Sequence, residues 1–253
     1  YEIEILLYNI FFRGEFQFHN GCFAKHNILW VSYANIVNKN LTMEQAPSIE
    51  EYAEEIIQNA NGFDALIVGS RTLYDILKDR VKIPIYYITQ FTNTKKFYRD
   101  YQEDLKTKLL FVGHPHFKRY APYWAMKYKM PVEVYGENWY EAPETHPYDI
   151  DNNILNKYYS SADIVLNDTQ VGMRKYGFIS NRIYDVSAVG TFIISDYIKE
   201  IEEIYGDSIA MWNNEKEFVD VVNYYLNHQK EREKKAKQAQ EITLKYYTLD
   251  KIM

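Results

Sequence analysis

Short, unbroken apolar runs recur along this chain, each followed by a segment of helical periodicity, and that alternation limits the fold more than any other feature. Asp64–Gly69 (DALIVG) ends at a turn signal and has no polar alternation, the pattern of a strand buried on both faces. Leu109–Gly113 (LLFVG), Asp163–Leu166 and Thr191–Ser195 read as further strands, as do Glu2–Asn9, Asn27–Tyr33, Ile83–Thr89, Val132–Gly136 and Ser208–Trp212. Between them lie helical patterns. Ser48 with Glu51 three residues on is a capping-box spacing, and Tyr52, Ile56 and Ile57 supply that helix with an apolar stripe. Ser70–Lys78, Tyr120–Tyr128, Ile154–Ser161, Ser180–Val189 and Ile198–Tyr205 follow, then Glu217–Asn227 with Phe218, Val221, Val222, Tyr225 and Leu226 on one face. Strands alternating with helices predict a parallel α/β sheet.

The series runs twice. Gln90–Lys96 (QFTNTKK) reads as the linker, so two α/β units in tandem are expected, residues 1–93 and 94–253. Ligands of such folds sit at the carboxyl ends of the strands and, in paired units, in the cleft between them.

Bulk properties exclude several partners. A net charge of −6 gives no global basic field, so nucleic acid is not an expected ligand. The single Cys22 excludes an intrachain disulfide and suits a reducing compartment, the cytoplasm. No apolar run approaches the ~18 residues of a membrane span. The chain opens on YEIEILLYN rather than methionine, as expected of a trimmed chain or a segment of a longer polypeptide. Tyrosine is abundant at 25 residues, which serves either sugar and base stacking or half-buried helix faces. The basic run Lys230–Lys237 (KEREKKAK) is interleaved with Glu and reads as a solvated helix face; contact with a membrane surface is the alternative.

The chemistry-bearing residues follow the strands of the second series. Gly113 allows close backbone approach to a ligand, and Arg119 lies a few residues on. His114 and His116 invite a metal reading, but no third ligand lies nearby in sequence, so no metal site is expected. Tyr135, Gly136 and Trp139 could pack against a nucleobase or close a core edge, and Asn167 and Asp168 end a buried strand. In Tyr176–Glu203, Ser180 or Asn181 can cap the next helix and leave its N–H groups to an anion. Arg182 adds a planar fork suited to a diphosphate, and Asp185, three residues on, shares its helix face and could accept ribose hydroxyls. The same spacing also suits a surface Arg–Asp pair beside a capping serine.

From about Thr94 to the end the chain resembles the C-terminal domain of GT-B-fold glycosyltransferases, in particular the spore-protein-like bacterial branch, the CgeB/YkvP-like proteins. The resemblance rests on LLFVG with Arg119, VEVYGENW, YYSSADIVLND, SNRIYDVSAVGTFIIS, KEIEEIYGD and EKEFVDVVNYYLNHQKERE in that order, and on the ending LKYYTLDKI. Leu66–Asn93 is similar, more weakly, to the end of the preceding domain. It implies a GT-B-like architecture, two Rossmann-like α/β domains facing across a cleft, with a nucleotide diphosphate sugar on the second and a glycan or lipid-linked acceptor on the first. It also implies metal-independent transfer without a cofactor, in bacterial surface polysaccharide or glycoconjugate synthesis, with peripheral association at the inner membrane face as one possibility. The donor-binding set would be Gly113, Arg119, Tyr135, Gly136, Asn167, Ser180, Asn181, Arg182 and Asp185.

In retaining members a Glu opens the conserved loop and a second Glu lies eight positions on. The second falls on Asp185 here and the first on Gly177, so the retaining mechanism is in doubt. An inverting reaction needs a base, for which His19, Glu15 and His26, in or near the loop after the first strand, are candidates. A sugar-nucleotide epimerase of the same architecture and a non-catalytic glycan-assembly module are the alternatives.

Overall fold

A computed structural model of the chain describes residues 4–6, 27–32, 42–115, 119–139 and 145–252. They form two compact units. The first comprises residues up to Gln90 together with Gln170–Ile179; the second comprises Phe91–Thr169 and Ser180 onward.

In the first unit, β1 (Glu4–Leu6), β2 (Asn27–Val31), α1 (Ile49–Ala60), β3 (Ala65–Val68), α2 (Arg71–Leu77) and β4 (Ile85–Tyr87) alternate as the sequence predicts. The sheet is wholly parallel, in the order β1-β2-β3-β4. Ser48 accepts from the Glu51 amide while the Glu51 carboxylate accepts from the Ser48 amide, so the capping box forms in full. Burial along β3 alternates, with Leu66 and Val68 buried and Ala65 and Ile67 half-buried, rather than both faces being covered.

The second unit contains β5 (Thr107–Val112), α3 (Tyr120–Lys127), β6 (Val132–Tyr135), β7 (Thr145–His146), α4 (Leu155–Ser161) and β8 (Ala162–Leu166). The short helix α5 (Val171–Tyr176) then belongs to the first unit. The second resumes with α6 (Asn181–Val189), β9 (Phe192–Asp196), α7 (Lys199–Tyr205), β10 (Ala210–Trp212), α8 (Glu215–Asn227), α9 (Gln229–Tyr246) and α10 (Leu249–Ile252). All neighbouring strands are parallel, in the order β10-β9-β8-β5-β6-β7. From β5 the chain first builds outward through β6 and β7, then returns to β5's other edge and builds outward through β8, β9 and β10. That reversal makes the carboxyl ends of β5 and β8 a topological switch point, the place where open α/β sheets bind ligands because successive connections leave in opposite directions.

Two elements depart from the sequence reading. Gln170–Ile179 carries no strong periodicity, yet it is built into the first unit's core. Tyr176 stacks on Tyr52 at 4.5 Å between ring centroids, its hydroxyl donates to the Pro47 carbonyl, and its own carbonyl accepts from the Ser70 hydroxyl. Lys175 donates to the carbonyls of Met43 and Ala46, and Phe178 is fully buried. Gly177 ends α5 with φ at +80°, the left-handed turn that glycine adopts without a Cβ penalty.

The basic run in α9 is the second departure. Lys230, Glu233, Lys234 and Lys237 are exposed as expected, but Arg232 and Lys235 are buried rather than solvated. Arg232 donates to the Tyr225 and Leu226 carbonyls at the end of α8 and pairs with Asp163. Lys235 reaches the Asp207 carbonyl and carboxylate at 2.6 and 2.8 Å. A one-sided charge count misses this because the aliphatic stems cover apolar surface while the heads find oxygen acceptors.

Candidate functional site

At the switch point two guanidinium groups share one aromatic support. Phe111, near the end of β5, lies under Arg182 at 5.0 Å and under Arg119 at 5.5 Å from its ring centroid. Arg119 precedes the first turn of α3; its Nε donates to the His114 carbonyl at 3.1 Å and its Nη1 to the Asp168 carbonyl at 2.5 Å. Burial depresses its pKa to about 10, opposed by the nearby Asp168 carboxylate, with Arg182 adding like-charge repulsion.

Arg182 is the second residue of α6. Its Nη1 donates to Asn167 Oδ1 at 2.9 Å and its Nη2 to the Val112 carbonyl, while its Nε–H is buried with no hydrogen-bond acceptor among the described residues. Both acceptors are uncharged, so these bonds fix the fork without neutralising it. Asp168 and Asp196 act on Arg119 and Asp185 on Arg182, and a diphosphate has the charge and acceptor geometry to bridge two such guanidinium groups.

Glycines let the loops close around this pair. A Cβ on Gly113 would lie 3.1 Å from Arg182 Nη2 and 3.6 Å from Arg119 Nη2. A Cβ on Gly136 would lie 2.4 Å from the Gly113 carbonyl oxygen, inside any allowed contact. The close approach that glycine permits here is therefore loop to loop and loop to guanidinium. Trp139 completes the packing, its indole N–H donating to the Gly113 carbonyl at 2.8 Å and its ring meeting Phe111 edge-on.

Beneath the arginines lies a buried polar network drawn from the carboxyl ends of β8 and β9. Asn167 is wholly buried and accepts from the Ser180 hydroxyl as well as from Arg182. Its amide nitrogen donates to Ser195 at 2.9 Å and Thr169 at 3.2 Å, with Asp196 at 3.5 Å. Thr169 and Ser195 in turn donate to the same Asp196 oxygen. Asp168 receives the Ala121 amide at 2.8 Å and so caps α3; burial first, and Asp196 next, push its carboxyl up to about 7. Ser180 stands at the start of α6, but its hydroxyl is spent on Asn167 and makes no capping bond. Asn181 beside it is exposed.

Asp185 turns inward. It is buried, takes the Thr92 hydroxyl at 2.8 Å, and burial raises its pKa to about 7, opposed by that bond and by Arg182. Arg182 and Asp185 do not form the surface ion pair that their spacing also allowed, because each is drawn to a different buried acceptor or donor. Tyr135 lies away from the arginines' immediate partners, stacked on His146 at 4.2 Å, with Tyr148 and Tyr158 edge-on and its hydroxyl on Glu133. His114 contacts Asp149 at 2.5 Å. His19, Glu15, His26 and His116 lie outside the described residues, and among the described ones no group of three metal-ligating side chains converges.

Sequence reasoning missed Phe111, Thr92, Thr169, Ser195 and Asp196 as parts of this site. The signal for two of them was present: Ser195-Asp196 ends β9 as Asn167-Asp168 follows β8, polar pairs terminating apolar strands. Nothing local marks Phe111 or Thr92, which only the strand order and the return of the chain bring near.

A family profile described as glycosyl transferase-like matches residues 120–253. No curated protein sequence matches the chain. Among solved structures, sucrose-phosphate synthase from Thermosynechococcus elongatus superposes with a TM-score of 0.64 at 13% identity, over 91% of this chain and 66% of that one. Anabaena HepE, solved in complex with UDP-glucose, gives 0.64 at 11% identity over 90% of this chain and 70% of that one. TarM gives 0.62 at 13% identity over 90% and 48%. At such identities the likeness is one of fold, that of GT-B glycosyltransferases, and this chain spans roughly half to two-thirds of the length of the proteins it resembles. The profile covers more than half of the chain, including α3, the β8 network and all of α6, and on that ground the chain belongs to the glycosyl transferase-like family.

Proposed function

We propose that this protein transfers a sugar from a nucleotide diphosphate sugar, held at the switch point of the second unit, to a glycan or lipid-linked acceptor. The observation that carries the proposal is the state of Arg182: a guanidinium fixed by two neutral oxygens, its Nε–H without an acceptor among the described residues, set beside Arg119 on Phe111. Its charge is held in place and left uncompensated by these bonds. As the glycosidic bond breaks, negative charge accumulates on the departing diphosphate, and guanidinium groups already oriented there stabilise it without reorganising. In this reading Arg119 and Arg182 meet the charge that a divalent cation would otherwise neutralise, and transfer is metal-independent. HepE supports a uridine nucleotide as the first donor to try.

Asp185 is assigned to the ribose. Gly177 offers no carboxylate at the first acidic position of retaining members, so the reaction does not use that group; the acceptor proton is assigned to His19 or Glu15. Membership and fold favour a transferase over the epimerase and the non-catalytic module. The CgeB/YkvP-like branch, a role in bacterial surface glycans and a cytoplasmic place at the inner membrane face complete the proposal. Among the described residues, no helix is long and apolar enough to cross a membrane.

The test is calorimetric titration with UDP, ADP, GDP and their common sugar conjugates. Arg182→Ala should weaken binding by about ten- to a hundredfold, the worth of charge-assisted hydrogen bonds, without unfolding the protein. Equal affinity in both proteins, or none in either, would end the proposal.

A further inference from the structure

Asn167 shares the Arg182 guanidinium with the Val112 carbonyl, and we infer that it is a positioning residue: an uncharged relay that holds the guanidinium in register for the donor diphosphate while keeping the Asp196 carboxylate from neutralising it. The inference rests on the donor-binding reading and names the device that keeps that site cationic.

The geometry is directional. The Asn167 amide has one acceptor end and one donor end, and the structure uses them on opposite charges. Oδ1 faces the cation, accepting from Arg182 at 2.9 Å and from Ser180 at 3.0 Å. Nδ2 faces the anion's shell, donating to Ser195 and Thr169, both of which donate to Asp196 Oδ1, with that oxygen itself at 3.5 Å. The side chain is wholly buried, out of reach of bulk solvent, and the amide is held in one orientation by the bonds at both ends. A flipped amide would set its N–H groups against the guanidinium and its oxygen against the carboxylate's shell, two buried mismatches at once.

An aspartate at this position would be the obvious partner for an arginine, and the reason it would fail is electrostatic. A carboxylate bonded to Arg182 in this buried setting neutralises the charge that the diphosphate requires, and it would stand beside Asp196 as a second buried anion. The asparagine oxygen orients the same guanidinium through a dipole and leaves its charge intact. Asp196 on the far side polarises the amide and strengthens its acceptor end, the cooperative behaviour expected of buried hydrogen-bond chains. Ser180 ties the start of α6 to the same oxygen, so the backbone that carries Arg182 and its guanidinium are referenced to one atom.

The inference makes a prediction that a purely structural role does not. Asn167 acts through Arg182, so the two must be thermodynamically coupled in ligand binding. UDP affinity is measured by calorimetry for wild type, Asn167→Ala, Arg182→Ala and the double variant, with urea unfolding of each as a check on folding. The expected result is a loss of about tenfold or more in UDP affinity for Asn167→Ala, and no further loss when it is added to Arg182→Ala. Thr169→Val, which removes one hydroxyl from the Asp196 side and leaves the Arg182 side intact, should lower affinity by less than Asn167→Ala and keep the fold if the larger variant loses it. Wild-type UDP affinity in Asn167→Ala, or losses that add in the double variant, overturns the inference and leaves the donor site standing. If wild type binds none of UDP, ADP or GDP, the donor reading falls and this inference with it.

Discussion

The strongest quantitative expectation concerns Asp185→Asn, because the substitution removes one buried charge and little else. Asp185 accepts the Thr92 hydroxyl through Oδ1, and an asparagine oxygen can accept the same bond. Burial raises the carboxyl from its ordinary 3.8 to about 7. In the unfolded chain the group ionises near pH 4, so between about pH 4 and pH 7 the folded state holds a proton that the unfolded state has released. Stability therefore falls as pH rises through that window and levels off above it. A rise of roughly three pH units at about 1.4 kcal/mol each sets an upper limit of about 4 kcal/mol on the loss, with 2–4 kcal/mol expected after relaxation. Asp185→Asn lacks this slope. Measured by urea unfolding from pH 4.5 to 8.5, the variant should gain on wild type steadily up to about pH 7 and hold a constant lead beyond. Asp168, also raised to about 7, titrates in both proteins and cancels in the difference. A difference that stays flat across the range would refute the reasoning. The same variant should bind UDP more weakly, since the carboxylate assigned to the ribose is gone, so stability and affinity should move in opposite directions.

Three further outcomes are expected from unfolding measurements. Gly136→Ala forces a Cβ to 2.4 Å from the Gly113 carbonyl at a φ of +145°, and should cost about 3 kcal/mol or more; a loss under 1 kcal/mol would mean the two loops do not meet as described. Ser48→Ala removes the hydroxyl that accepts the Glu51 amide, leaves the Glu51 carboxylate on the residue-48 amide, and should cost about 1 kcal/mol, with no effect on UDP binding. Lys235→Met keeps most of the buried stem and loses the bonds to Asp207, whereas Lys235→Ala loses both, so Lys235→Met should retain more stability; the reverse order would show that the stem's packing contributes nothing.

How much was readable in advance differs between fold and site for one reason, the range of the interactions involved. The capping box at Ser48 and Glu51 lies within one helical turn, and it forms as read. The apolar runs became strands at nearly their expected bounds, because such a run finds cover on at least one face of a sheet, although β3 is buried on one face rather than two. Helix α5 escaped notice because its stability comes from Tyr52, Ser70 and the carbonyls of Met43 and Ala46, all more than a hundred residues away. Within α9 the spacing foretells the exposed Lys230, Lys234 and Lys237 but not the buried Arg232 and Lys235, whose acceptors are carbonyls at the end of another helix and in a distant turn.

Around Arg182 the division is sharpest. The sequence by itself determined that an arginine and an aspartate would stand in the first turns of a helix after a buried strand, and that glycines would flank the neighbouring loops. It could not decide what each side chain would meet. That followed from the strand order, in which the chain returns to the free edge of β5 and brings Val112, Asn167 and Arg182 to one point. Local spacing favoured an Arg–Asp pair worth about 0.3–0.5 kcal/mol. The tertiary structure separated the two instead, burying Asp185 on Thr92 and fixing Arg182 on the Asn167 and Val112 oxygens, because hydrogen bonds made in a buried setting outweigh what an exposed ion pair returns.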